Sequence, residues 1–301
     1  MFNKIVIIEP INMLDVYLKR LNNLAHDVVY YKDIPADDNE IIKRIGDSDC
    51  VLLSYTSKIS ANVIVSCKNI KYIGMCCSLY SKESANVDIS CAEENGIVVK
   101  GIRDYGDEGV CEYIIHELVG FLQDYSNLHL WDSYAQEISS LKCAVIGLGT
   151  SGTLIAKTLK FFGADVSYYS RTRKSDVEKE LGITYKSLKE CVSESDAVFL
   201  ALNKNVFLLG EEEFKLMKGR KILFNTSIGP GFIQEPFEKW LKEDKHFFFG
   251  DTLPTIGNDK LWELPNTFTI NRSSGGKSYN AYKRLGDKVI KNMLDYLEEC
   301  K

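Results

Sequence analysis

The loop Gly147-Leu-Gly149-Thr150-Ser151-Gly152 is where residue types and spacing speak most directly of chemistry. It follows the apolar run Cys143-Ala-Val-Ile146 and opens a helical pattern through Leu154, Ile155, Leu159 and Phe162, which Gly163 closes. A strand, a turn of spaced glycines and a helix can cradle a dinucleotide. Gly147 permits the tight turn, Gly149 lets the backbone approach a pyrophosphate, and Gly152 lets helix and strand pack closely. The helix N-terminus offers free N–H groups and a positive dipole to the phosphates. The plainer alternative is a glycine turn with no ligand. At the end of the next strand, an acidic residue would grip the ribose 2′-OH of NAD. Here that segment reads Tyr169-Ser170-Arg171-Thr172-Arg173-Lys174. Arg171 and Arg173 can bind a 2′-phosphate through charge-assisted bonds, which a carboxylate would repel. The expected cofactor is therefore NADP(H), with NAD(H) second; a solvated basic loop is the bland alternative.

Other polar residues fall where turn formers interrupt the pattern. Lys100, Arg103 and Tyr105 lie in or beside the hinge Gly101–Gly106, Arg272 and Lys277 at the hinge around Ser273-Ser-Gly-Gly, and Tyr80 and Lys82 in an earlier loop. Any of them can orient an anionic substrate, and Tyr105 or a lysine of lowered pKa can donate a proton. Taken singly, each is more readily a solvated or structural group than a catalytic one. The histidines are poor catalytic candidates: His26 precedes a strand, His246 begins an edge strand, His116 packs in an apolar helix, and His129 lies in a connector.

The elements that must position these residues are strands alternating with helices. Strands are expected at Lys4–Glu9, Asp27–Tyr31, Cys50–Tyr55, Ile70–Cys76 and Ile97–Lys100. After a long helix over Gly109–Leu122, a second series runs Lys142–Gly147, Asp165–Tyr169, Ala197–Leu202, Lys221–Asn225 and His246–Gly250, and a last helix covers Lys277–Cys300. This is the pattern of an α/β protein with two doubly wound parallel-sheet domains. Ligands of such folds lie beyond the carboxyl ends of the strands, so a small-molecule substrate is expected in an interdomain cleft.

Composition narrows the classes. The 301 residues suit two domains or one large one, and a net charge of −5 gives no general attraction to nucleic acid or an anionic membrane. No apolar run is long enough to span a bilayer. The nine cysteines include no Cys-x-x-Cys pair, so no metal site is expected and most of the thiols read as small buried residues of a reducing cytoplasm. Met1-Phe-Asn-Lys runs straight into a strand, without a signal-peptide pattern.

The sequence resembles the D-isomer-specific 2-hydroxyacid dehydrogenases along nearly all its length. The resemblance rests on Val145–Gly152 continuing to Gly163, Ala92-Glu-Glu-Asn-Gly-Ile-Val98, Glu108-Gly-Val-Cys-Glu112, Met217–Thr226 and Leu264-Pro-Asn266. It implies a Rossmann nucleotide-binding domain (residues 105–274) inserted into a flavodoxin-like substrate domain (1–104, completed by a helix in 275–301). It also implies a homodimer, which the apolar helix Gly109–Leu122 suits. Asn225, Thr226, Ser227 and Asp251 match residues the family places near the nicotinamide, though capping or a hinge hydrogen bond would equally explain Asp251. The family's catalytic Arg, His and Glu are not matched: Ile228 stands in the Arg slot, Arg272 at or beside the His slot, and Thr252–Gly257 has no acid. The loop Gly74–Tyr80 also lacks the usual Gly-x-Gly. The expectation is an NADP(H)-dependent oxidoreductase with an atypical substrate, a ketone, imine or activated alkene. The alternative is a catalytically inactive dinucleotide-binding protein, a redox sensor or partner-binding subunit.

Overall fold

A computed structural model describes residues 1–127, 130–243 and 245–300. In chain order the elements are β1 (Phe2–Ile7), α1 (Asp15–Leu21), β2 (Ala25–Tyr30), α2 (Asp38–Ile45), β3 (Cys50–Leu53), α3 (Ala61–Ser66), β4 (Tyr72–Ser78), α4 (Ile89–Glu94) and β5 (Val98–Ile102). Then follow α5 (Asp107–Leu122), β6 (Lys142–Ile146), α6 (Thr150–Phe161), β7 (Asp165–Tyr169), α7 (Ser175–Leu181), β8 (Thr184–Tyr185), α8 (Leu188–Glu194) and β9 (Ala197–Leu200). The chain ends with α9 (Glu211–Leu216), β10 (Lys221–Asn225), α10 (Gln234–Leu241), β11 (His246–Gly250), β12 (Thr267–Thr269) and α11 (Tyr279–Glu299). Two compact units result, one of Met1–Tyr105 with Ser278–Lys301, the other of Gly106–Lys277.

The first unit holds a five-stranded parallel sheet ordered β2-β1-β3-β4-β5, the flavodoxin-like order. Its central strands β3 and β4 are buried on both sides because helices cover both faces. On one face α11 returns: Tyr296 lies 4.9 Å from the Tyr72 ring and stacks on Phe2 at 5.6 Å, with Leu285, Val289 and Met293 buried beside them. Ser278 caps α11, its hydroxyl accepting from the Ala281 N–H at 3.0 Å.

The second unit holds a seven-stranded parallel sheet ordered β12-β11-β10-β9-β6-β7-β8. Counted from β6, that is the Rossmann order 3-2-1-4-5-6 with one strand added. Period-2 alternation sends Phe199, Phe224, Phe249 and Phe268 to one face, in register across β9, β10, β11 and β12. Their rings stack at 5.2, 4.6 and 4.6 Å in turn. α5 covers this face through Tyr113, Ile114, Leu118 and Phe121. Val198, Leu223 and Phe248 point to the other face, under α10.

Several expectations are corrected. The strand predicted to begin at Asp27 begins at Ala25, so His26 lies inside β2 and is exposed. β12 pairs with β11, so His246 does not begin an edge strand. α5 starts at Asp107, two residues before the predicted Gly109, because Asp107 and Glu108 suit the positive end of a helix. β8 and β12, with two and three residues, were not foreseen. No described helix is long and apolar enough to cross a membrane.

Candidate active site

The glycine loop sits at the point where the strand order of the second sheet reverses, between β6 and β9. Its glycines are there for separate steric reasons. Gly147 has φ +99°, and a Cβ on it would meet the Ala201 carbonyl oxygen at 2.4 Å. A Cβ on Gly152 would lie 1.9 Å from the Gly147 oxygen. Neither can be replaced without moving backbone. Gly149 is the opposite case: open space surrounds the place of its Cβ. It is the N-cap of α6, where free N–H groups face outward. A cradle closed beneath by Gly147 and Gly152 and open above Gly149 fits a pyrophosphate. Thr150 is exposed in the first turn, whereas the Ser151 hydroxyl is engaged by Asp107 of α5.

The basic loop after β7 separates its two arginines. Arg173 gives two parallel hydrogen bonds to Glu178, Nε to Oε1 at 2.8 Å and Nη2 to Oε2 at 2.7 Å, and its guanidinium lies over the Tyr185 ring. The Tyr168 hydroxyl donates to the same carboxylate at 2.7 Å and accepts from the Lys174 N–H at 2.9 Å. The guanidinium and this phenol hold the Glu178 carboxyl down to about 2. Arg171 is exposed and has no hydrogen-bond or ion-pair partner among the described residues. The Ser170 hydroxyl donates to the Thr172 carbonyl at 2.6 Å. The sequence reading missed Glu178 and Tyr168; an acid five residues after Arg173, in the first turn of α7, was the available signal.

Asn225 ends β10 fully buried. Its amide donates to the carbonyls of Gly229 (3.1 Å) and Thr255 (2.9 Å), and its oxygen accepts from the Ser227 N–H at 3.0 Å. The Ser227 hydroxyl in turn accepts from the Leu202 N–H at 3.0 Å. Their side chains therefore tie the loop, and Thr226 remains partly open between them. Ile228 follows with 63% of its surface exposed. Asp251, at the end of β11, accepts from the N–H (3.0 Å) and hydroxyl (2.9 Å) of Ser274, while its carbonyl accepts from the Arg272 N–H at 2.8 Å. Burial raises its pKa, against the pull of the Ser274 bonds. The Arg272 and Lys277 side chains are exposed.

In the first unit, Tyr105 hydrogen-bonds Ser78, and burial raises its pKa against that bond. Lys100 is half-buried on β5. Lys82 is paired with Glu93. His116 is exposed, not packed, with 83% of its side chain open, because α5 turns that position away from the sheet. His246 is buried, stacked on Trp240, with Nδ1 2.6 Å from the Trp240 carbonyl oxygen. His129 lies outside the described residues.

Residues 121–270 match the family model described as D-isomer specific 2-hydroxyacid dehydrogenase, NAD binding domain. A hydroxypyruvate reductase from Blautia hydrogenotrophica is 27% identical over 98% of this chain and 97% of its own. An acyclic imino acid reductase solved with NADPH and D-Arg superposes with a TM-score of 0.83 at 22% identity, over 98% of this chain and 97% of that one. D-lactate dehydrogenase from Aquifex aeolicus, solved with NAD and lactic acid, gives 0.77 at 19%, over 99% and 96%. The last two likenesses show the fold.

Proposed function

Because the chain belongs to the D-isomer-specific 2-hydroxyacid dehydrogenase family, we propose that it is an NADP(H)-dependent reductase acting on a small molecule with a C=N bond, most simply a 2-imino acid. The observation that carries this reading is Ile228, apolar and exposed where the family resemblance calls for an arginine. Reducing a ketone requires a proton as well as a hydride, and a positioned acid commonly contributes about 10²–10⁴-fold. No histidine follows His246. Arg272 is a guanidinium, which stays protonated and is a poor acid. The Tyr105 phenol, its pKa raised by burial, gives up its proton reluctantly but can still hydrogen-bond a substrate. An iminium ion already carries its proton and its charge. Its C=N electron pair becomes the amine lone pair on reduction, so no protein group has to act as acid. When bound, the dihydronicotinamide supplies the hydride.

The open backbone at Gly149 and the first turn of α6 would receive the pyrophosphate, with Gly147 and Gly152 shaping the turn, and Arg171 the 2′-phosphate. Asn225, Ser227 and Asp251 hold the strand-end loops around them. The imino acid reductase whose fold this chain shares was solved with NADPH, so the fold is one that accommodates that cofactor. The related reductases favour turnover over a protein that only binds the cofactor.

Initial rates of NADPH consumption at saturating cofactor test the proposal, with pyruvate, glyoxylate and hydroxypyruvate each offered alone and with methylamine. The 2-keto acids alone should turn over slowly or not at all, and the amine should raise the rate. A kcat near the common enzyme value of about 10 s⁻¹ on a keto acid alone would contradict it.

A further inference from the structure

Arg103 follows β5 in the first unit and is held unlike an ordinary surface arginine. Its Nε donates to the Leu79 carbonyl at 2.6 Å and its Nη2 to the Tyr80 carbonyl at 2.8 Å. The guanidinium carbon lies 5.4 Å from the centre of the Tyr80 ring. The next residue, Asp104, turns the chain with φ +54°, a left-handed conformation that costs a non-glycine residue energy. Three contacts thus fix a long side chain that would otherwise lose rotamer freedom on binding a ligand. Both tying partners are neutral carbonyls, and no carboxylate pairs with Arg103 among the described residues. A guanidinium has five N–H donors. Two are used, and the edge formed by Nη1 and the outer N–H of Nη2 stays available, a geometry that receives a carboxylate through two parallel bonds.

We infer that Arg103, in the first unit, is the anchor for the carboxylate of the substrate. The ligand class is a small 2-imino or 2-keto acid, held by its carboxylate on Arg103. This rests on the reductase reading, which it deepens by placing the acid group.

The test is calorimetric titration of the full chain, saturated with NADP⁺, with oxamate, an unreactive 2-keto acid analogue. Arg103→Gln should weaken oxamate binding about 10- to 100-fold, Arg103→Lys less, and neither should change NADP⁺ affinity, which also reports that both variants are folded. Acetamide, which has no carboxylate, should not bind through Arg103. Equal oxamate affinity in wild type and Arg103→Gln, no oxamate binding by wild type, or an equal Arg103-dependent affinity for sulfate would each overturn the assignment. Failure of NADP⁺ itself to bind would instead refute the cofactor reading, and the oxamate titration repeated without it would still report on Arg103.

Discussion

Arg171 and Arg173 stand two positions apart, yet they are different cations. Arg173 is neutralised by Glu178 and lies over Tyr185, whereas the donors of Arg171 meet no partner among the described residues. Discrimination by a 2′-phosphate should therefore fall mainly on Arg171. Arg171→Ala is expected to weaken NADPH binding by about 10- to 100-fold and to leave NADH nearly unchanged in parallel titrations. Arg173→Ala should do less to NADPH and more to folding. The pair also sets a pH dependence. The Glu178 carboxyl is depressed in the folded chain to about 2, so its stabilisation is present above the unfolded glutamate value, about 4.3, and is lost as pH falls from there toward about 2. Glu178→Gln should thus be less stable than wild type at neutral pH, and the difference should shrink through that acid window. Acid unfolding followed by circular dichroism checks this, and a difference that stayed constant would show that the ion pair does not carry it.

Among the elements, the four-strand phenylalanine row is where the second unit has most to lose. Phe224 is fully buried and stacks on Phe199 and Phe249. Phe224→Ala should cost about 3–5 kcal/mol, read as a lowered urea midpoint at unchanged slope. Much of this architecture was legible in the sequence, because long apolar runs alternating with helical patterns leave few foldings open. The predicted strands Asp165–Tyr169, Lys221–Asn225 and His246–Gly250 coincide with β7, β10 and β11. β8 and β12 were hidden because two or three residues cannot display a period. In the site, the glycine loop was readable because Gly147 and Gly152 answer local steric demands and Gly149 leaves the backbone open. The fixing of Arg103 was not, since its partners are main-chain carbonyls of Leu79 and Tyr80, atoms that every residue carries. The exposure of His116 was missed for another reason: apolar neighbours along the chain do not say which way one turn of a helix faces.

At the scale of the molecule, we expect two copies to associate. α5 buries one side against its sheet, while on the other Ile115, Leu154 and Thr158, with Glu108, Glu112 and His116 beside them, line a groove, and Phe161 and Phe162 are exposed at the end of α6. Light scattering should give twice the mass of one chain; a single-chain mass would refute the association. The central claim concerns chemistry, that this chain moves a hydride from NADPH to the carbon of a C=N bond without a histidine. The most direct measurement offers it pyruvate, methylamine and NADPH deuterated at both C4 positions, and reads the products by mass spectrometry. The account predicts N-methylalanine carrying one deuterium at Cα, formed faster than any labelled lactate. Deuterium appearing in lactate alone, or in no product at all, would contradict it.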